Sequence, residues 1–451
     1  MSHVARPSGR AALWLALLGP FFFLSYGLAN TLAGRATHVP SVVFGWEHGM
    51  PFWPWTIVPY WSIDVFYAVS FFVCRNRREL DTHALRLLSA QLICVACFVL
   101  WPLRYSFVRP QTEGVFGWLF AVLLGFDKPF NQAPSLHIVL LVVLWVRYGQ
   151  HLCGVWRWLL HAWFALIGVS VLTTYQHHFL DIPTGLAVGW LCVWLWPERV
   201  AAPFAQARFA RDLRRWRLAA MYLAGALVSA ALALWSGGAA LWLLWITLAL
   251  LLVALNYALL GPGGFQKRSD GRLSLAAHWL YAPYLLAAWC NSRLWTRRAP
   301  LPRAVCDGVW LGRIPLPGQR DKRAAVVDVS AELSLYAAQA QDRVVPMLDL
   351  VAPSPAQLRE AAQAIAQAQA IAQAQAIGPV LVCCALGYSR SAASVATWLV
   401  RSGRAQDVDA AIAQLRAVRP SIVLGHAHRA AILTACDGHD GGDDIPERRA
   451  Q

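Results

Sequence analysis

The stretch Val380-Leu381-Val382-Cys383-Cys384-Ala385-Leu386-Gly387-Tyr388-Ser389-Arg390-Ser391 decides the reading of the C-terminal part of the chain. A short apolar run reads as a buried strand, the glycine-containing segment as a tight turn, and the apolar pattern up to Val400 as a helix. A strand that turns sharply into a helix gathers backbone N–H groups at the helix N-terminus, and such a nest binds a phosphate dianion. The same field lowers the pKa of a thiol and produces the thiolate that attacks phosphorus. Cys384 is the candidate nucleophile, Gly387 and Ser389 belong to the phosphate-binding turn, and the Arg390 fork matches two phosphate oxygens.

Cys-x5-Arg-Ser in such surroundings resembles the dual-specificity branch of the protein tyrosine phosphatases, over about residues 300–435. The resemblance implies an α/β domain with Cys384 as nucleophile, Arg390 as phosphate clamp and Ser391 as the hydroxyl that aids release of the thiolate. It also implies an aspartic general acid on a loop after a neighbouring strand. Strand-like runs occur at 324–329, 343–348 and 380–383, so Asp349 fits that place and Asp328 is its rival. Two departures stand out: Cys383 occupies the position where a His usually precedes the nucleophile, and the loop lacks Lys. The adjacent thiols suggest an inhibitory disulfide. The missing Lys favours a cytoplasmic phosphoprotein or a phospholipid monophosphate as substrate. The tandem repeat at 364–369 and 370–375 reads as an extension of a surface helix, since Ala and Gln are good helix formers.

Outward from this domain the composition changes. Of 451 residues, 58% are hydrophobic and 14% charged, against roughly 25% charged in a soluble domain. That excludes a simple soluble protein and a disordered one. The net charge of +15 comes in short Arg bursts between apolar runs, which indicates membrane topology and no nucleic-acid partner. Spans are expected at 11–33, 55–74, 84–103, 134–148, 155–174, 182–196, 218–235 and 239–260. Each can cross about 30 Å of hydrocarbon or most of it. Arg75, Arg77, Arg78, Arg147, Arg157, the run 199–217 and Lys267, Arg268, Arg272 then share one face. By the positive-inside rule both termini are cytoplasmic, in a multi-pass protein of a bacterial inner membrane. The ten cysteines avoid the opposite face, as expected for reduced thiols. Residues 274–295 are apolar with Pro283 in the middle and basic flanks, so an amphipathic interfacial segment is expected rather than a ninth span.

Ionisable residues at membrane depth mark functional sites by default. Antiparallel spans bring three clusters to the outer face: Arg104 to Pro110, Pro134-Ser135-Leu136-His137, and Gln176 to Asp181. Arg forks match phosphate oxygens, one His can attack phosphorus, and a carboxylate one turn away, as in His177 and Asp181, can orient it. His137 is placed to protonate a leaving oxygen.

Arg-Pro, Pro-Ser-Leu-His and His-x3-Asp in this order resemble the type 2 phosphatidic acid phosphatase superfamily, in particular the branch of inositol phosphorylceramide synthase, over about residues 50–196. The resemblance implies a six-span bundle acting on a lipid phosphate in the membrane. His177 carries the phosphoryl group, His137 acts as acid and base, Asp181 orients, and Arg109 binds phosphate. Pro102 and Val171 stand where that family has basic residues, and Arg104 or Lys128 is the candidate replacement. Neither site implies a metal or other cofactor. The expected organisation is therefore a polytopic α-helical membrane protein with a C-terminal α/β cysteine-phosphatase domain. Its parts are 1–198 (six-span domain), 199–262 (two further spans), 263–299 (interfacial linker), 300–438 (phosphatase domain) and 439–451 (disordered tail). A head-group phosphotransferase and a phosphate-binding receptor with one degenerate site are the alternatives to two hydrolytic sites.

Overall fold

The computed structural model describes residues 6–125, 127–316, 318–320, 324–336, 339–375 and 378–437; the tail at 439–451 lies outside them. The chain forms two compact units. One comprises Met1–Ala202 with Ser236–Leu241, the other Pro203–Trp235 with Trp242–Gln451.

The first unit is helical: α1 Ser8–Ala33, α2 Ile57–Val73, α3 Arg77–Leu100, α4 Gly114–Leu124, α5 Leu136–His151, α6 Gly154–Thr173 and α7 Asp181–Leu195. α1, α3, α6 and the stretch Pro54–Val73 are long and apolar enough to cross a membrane. α5 and α7, with 16 and 15 residues, are shorter apolar helices that reach about 24 and 22 Å. α4 occupies a segment expected to be loop: its 11 residues are apolar throughout, but too few to cross.

Two glycines on α7 govern the packing that matters here. A Cβ at Gly185 would lie 2.8 Å from Ile138 Cβ, and one at Gly189 would lie 2.7 Å from Val142 Cβ. α5 and α7 therefore approach more closely than larger residues would permit. Their N-termini meet where Ser135 N donates to Asp181 O at 3.1 Å. At the other end of α5, Arg147 is fully buried between Glu79 and Glu198, and Glu198 also receives Arg86 at 2.9 Å. Arg147 is thus an internal ion-pair residue.

The second unit begins with α8 Leu213–Ser236 and α9 Leu243–Leu255, which continues through a π-helical turn, Asn256–Leu260, and a 3₁₀ turn, Gly261–Phe265. Both stretches are long and apolar enough to cross a membrane. The segment 274–295 forms two helices, α10 Leu275–Leu280 and α11 Ala282–Trp295, because Pro283 lacks an N–H and is tolerated only in a first helical turn. Neither is long enough to span.

A five-stranded sheet follows: β1 Arg303–Cys306, β2 Val309–Arg313, β3 Ala325–Ser330, β4 Arg343–Met347 and β5 Val380–Cys384, in the order β1-β2-β5-β3-β4. β1 and β2 form an antiparallel hairpin through Asp307-Gly308, both at positive φ, and the other pairings are parallel. A parallel sheet needs cover on both faces. One face carries α12 Pro355–Ala374, α13 Arg390–Arg401, α14 Val408–Val418 and α15 His426–Asp437. On the other, Ile314, Val326, Leu333, Leu335, Cys383 and Ala385 pack with Ala288 of α11. The linker expected at 263–299 therefore supplies part of the core. α12 is also not merely a surface helix, since Ala364, Ile365, Ala368 and Ala372 of its repeat are buried.

The side chain of Lys267 is fully buried. Its ammonium donates to Asp328 Oδ2, to Ser330 O at 2.7 Å and Oγ at 3.0 Å, and to Leu333 O at 2.7 Å. Gly271 O accepts from Leu335 N at 2.8 Å, so the hairpin around 267–273 holds the loop after β3 in place.

Candidate active site

Sites in open α/β sheets form at the carboxyl ends of strands. Cys384 ends β5, Glu332 lies two residues beyond β3, and Asp349 lies two residues beyond β4. The three strands are neighbours, so these residues converge with the start of α13.

Gly387 makes the phosphate loop possible. Its φ is +74°, and a Cβ there would stand 2.4 Å from the carbonyl of Gly312. Its N–H donates to Cys384 Sγ at 3.2 Å, while Ser391 Oγ lies 3.3 Å from the same sulfur. Both groups are placed to hydrogen-bond the sulfur. The Ser389 hydroxyl turns away to His428 Nε2 at 2.8 Å, so the role expected for Ser389 reduces to its backbone.

Arg390 is buried and held from three sides. Its Nη1 donates to Glu332 Oε2 at 2.7 Å and Met347 O at 2.9 Å, its Nη2 to Glu332 Oε1 at 2.7 Å, and Asp349 Oδ1 is 3.0 Å from Nη2. Glu332 was not singled out from the sequence. Its bidentate pairing orients the fork, and the available signal was its position just after a strand that proves to neighbour β5. Burial alone would raise the Glu332 carboxyl, but the charge and hydrogen bonds of Arg390 hold it below the ordinary range. Burial pushes the Asp349 carboxyl up, with Arg390 opposing and Glu332 reinforcing the shift. A carboxyl raised in this way retains the proton that a general acid must deliver. Tyr257 OH donates to the Asp349 carbonyl at 3.0 Å, fixing the backbone of that loop.

The rival acid is excluded by its surroundings: Asp328 is fully buried and neutralised by Lys267. Cys383 and Cys384 point to opposite faces of β5, as neighbouring strand residues must, and they belong to different core clusters. The suggested disulfide between them would require the strand to unravel. Burial pushes the Cys383 thiol well up, which leaves it an inert core residue.

In the first unit, His177 Nδ1 and Asp181 Oδ2 are 3.1 Å apart. His137 stacks on Tyr60 with ring centroids 3.9 Å apart, and its Nε2 lies 2.9 Å from Tyr60 O. His137 and His177 line one small cavity of about 50 Å³ together with Tyr26, Tyr60, Asp64 and Asp127. Asp127 accepts from Tyr26 OH at 2.7 Å, and burial pushes its carboxyl up. The acidic pair was not foreseen, because its members come from α2 and from the loop after α4. Arg109 donates to Thr174 O at 3.1 Å and Tyr175 O at 3.2 Å and lies over the Phe120 ring. Neither Arg109, Arg104 nor Lys128 lines this cavity, and Arg104 and Lys128 are exposed. Arg104 and Lys128 are therefore not gathered around the two histidines, while Arg109 stays within electrostatic reach of Tyr60 and Asp127 in the cavity lining.

Residues 321–436 match the family model described as dual specificity phosphatase, catalytic domain. No curated protein matches the chain. Among solved structures it is similar to PTPMT1 in complex with PI(5)P, with 16% identity over 30% of this chain and 94% of that one at a TM-score of 0.25. It is also similar to the active form of Tk-PTP, with 24% identity over 31% of this chain and 97% of that one, again at 0.25. With the strand, turn and helix geometry around Cys384, the family match identifies residues 321–436 as a dual-specificity phosphatase catalytic domain, and the protein is a phosphoester hydrolase.

Proposed function

We propose that the protein is a membrane-embedded phosphatase whose cysteine site releases phosphate through a phosphocysteine intermediate. The observation that carries this is the meeting of Cys384 and Asp349, at and just beyond the ends of β5 and β4, with Arg390 at the start of α13. Cys384 thiolate forms the S–P bond while the P–O bond to the leaving group breaks, and Asp349 passes its proton to the departing oxygen. Water then attacks phosphorus, its proton goes to the Asp349 carboxylate, and the S–P bond breaks. The Gly387 N–H and Ser391 hydroxyl stabilise the thiolate that departs. Arg390 offers its Nε–H, which has no partner among the described residues, to one equatorial oxygen and, as Asp349 turns to the leaving group, the released Nη2–H to a second.

Asp349→Asn is the direct test of the acid. With an alkyl phosphate, whose leaving group needs a proton, kcat is expected to fall about 10²-fold or more. With a nitrophenyl phosphate, whose leaving group departs unaided, the fall should be much smaller. Because the Asp349 pKa is raised, the wild-type rate on the alkyl ester should persist above the usual carboxylate range and decline as pH rises through that pKa. The variant should lack this decline. Equal losses on both esters would remove Asp349 from the role.

For the first unit we propose a second site on the outer face that acts on a lipid phosphate, with His177 as nucleophile, Asp181 as orienter and His137 as acid and base. The His177 to Asp181 bond and the shared cavity support this reading. Its test is hydrolysis of a lipid phosphate by the Cys384→Ser protein, which retains only this site. Activity that disappears on adding His177→Ala supports the proposal; no activity with or without an added alcohol acceptor favours a degenerate, phosphate-binding site.

A further inference from the structure

The general-acid loop of the cysteine site is tied to the helices of the same unit that are long enough to cross a membrane. Tyr257, in the turn that ends α9, donates to the Asp349 carbonyl. Tyr222 of α8 stacks on Tyr257 with centroids 5.5 Å apart, and Tyr284 of α11 meets Tyr222 edge-on at 5.9 Å. Ser292 of α11 donates to the carbonyl of Ala385, the residue after the nucleophile, at 2.5 Å. α11 also presents Leu286, Trp289, Leu294 and Trp295 to the exterior. Exposed Trp and Leu on a short helix beside the ends of two long apolar helices is the pattern of a segment lying in the membrane interface.

Beside the same loop is a cleft of about 920 Å³. One wall is Leu348 and residues 351–354, flanking Asp349. The other is residues 208–212 and Arg215, three arginines against the single carboxylate of Asp212, just before and within the first turn of α8. Arg215 is committed to the carbonyls of Tyr257 and Asn256, at 2.9 and 3.2 Å, while Arg208 and Arg211 are exposed. Basic side chains at the foot of a long apolar helix lie where anionic head groups lie.

We infer that the cysteine site acts on a lipid phosphomonoester in the cytoplasmic leaflet, and that Arg208 and Arg211 bind the anionic head group beside the general-acid loop. This rests on the phosphocysteine mechanism and on the membrane reading of α8 and α9 proposed above. A site hydrogen-bonded to the end of a span lies at head-group level, so a lipid phosphate reaches it without leaving the bilayer. The arginine cleft supplies the charge that the Lys-free phosphate loop does not.

The test uses the full-length protein reconstituted in phosphatidylcholine vesicles containing a phosphatidylinositol monophosphate, whose phosphodiester stays anionic beside the scissile phosphomonoester, with a phosphotyrosine peptide and nitrophenyl phosphate as soluble substrates. Only the activity removed by Cys384→Ser is counted. The expected result is a kcat/KM for the vesicle lipid at least tenfold above that for the peptide. The ratio of lipid to nitrophenyl activity should fall at least fivefold in the Arg208→Gln/Arg211→Gln double variant and recover in Arg208→Lys/Arg211→Lys. Peptide preferred over lipid, or an unchanged ratio in the Gln variant, overturns the inference. Turnover of nitrophenyl phosphate without turnover of the lipid also overturns it, while leaving the phosphocysteine mechanism standing. Absence of Cys384-dependent turnover on all three substrates overturns both.

Discussion

Replacing Cys384 by Ser is expected to lower phosphate release from an aryl phosphate by about 10³-fold or more, with little change in folding. The loss is chemical. A serine hydroxyl is far less acidic than a thiol, so the loop N–H groups that favour a thiolate do not ionise it. The fold should tolerate the change because Ser is close in size to Cys and keeps the Gly387 and Ser391 partners. Steady-state rates on the purified variant, with a thermal melt beside wild type, check both halves of the expectation. A variant that melts normally and retains most of its rate would remove Cys384 as nucleophile.

Glu332→Ala is expected to have the next largest effect, on stability and rate together. Arg390 and Glu332 are a buried bidentate pair, 1% and 3% exposed at their side chains. Removing one partner of such a pair leaves an uncompensated charge and costs about 3–5 kcal/mol. The Met347 carbonyl and Asp349 remain, so the guanidinium is retained but loses the contact that fixes its plane. Asp349 also loses the neighbour that helps keep it protonated, so the rate loss should reach about 10²-fold, greater at high pH. Glu332→Gln keeps one acceptor and should recover part of the stability. Denaturant melts and pH–rate profiles of both variants measure these effects. A Glu332→Ala protein with wild-type stability and rate would show that Arg390 is positioned without it.

Both variants concern one constellation, of which the sequence showed an unequal share. The nucleophile, the clamp and the helix behind them are contiguous, so Val380 to Ser391 carried its geometry in its own spacing. Asp349 was legible because it follows a recognisable strand. Glu332 follows one too, but its role depends on β5 inserting between β2 and β3, a long-range order that local pattern does not encode. The β1–β2 hairpin carries its own turn signal in Asp307-Gly308. The burial of Lys267 and Arg147 was not legible, because a burst of basic residues does not show which of them has a buried carboxylate partner. In the first unit, the spacing of His177 and Asp181 foretold their contact, since it lies within one stretch of chain. Asp64 and Asp127 come from α2 and from the loop after α4 and meet the histidines only through long-range packing that local pattern does not encode.

The central claim is a covalent phosphoryl group on Cys384. It is tested by mixing the full-length protein with nitrophenyl phosphate, quenching in acid within one turnover, and locating the added phosphoryl group by peptide mass spectrometry. A phosphorylated peptide containing Cys384 is expected, absent in Cys384→Ser and accumulating in Asp349→Asn, where activation of the hydrolytic water is impaired. Turnover with no such adduct, or with the adduct on a different residue of the second unit, would contradict it.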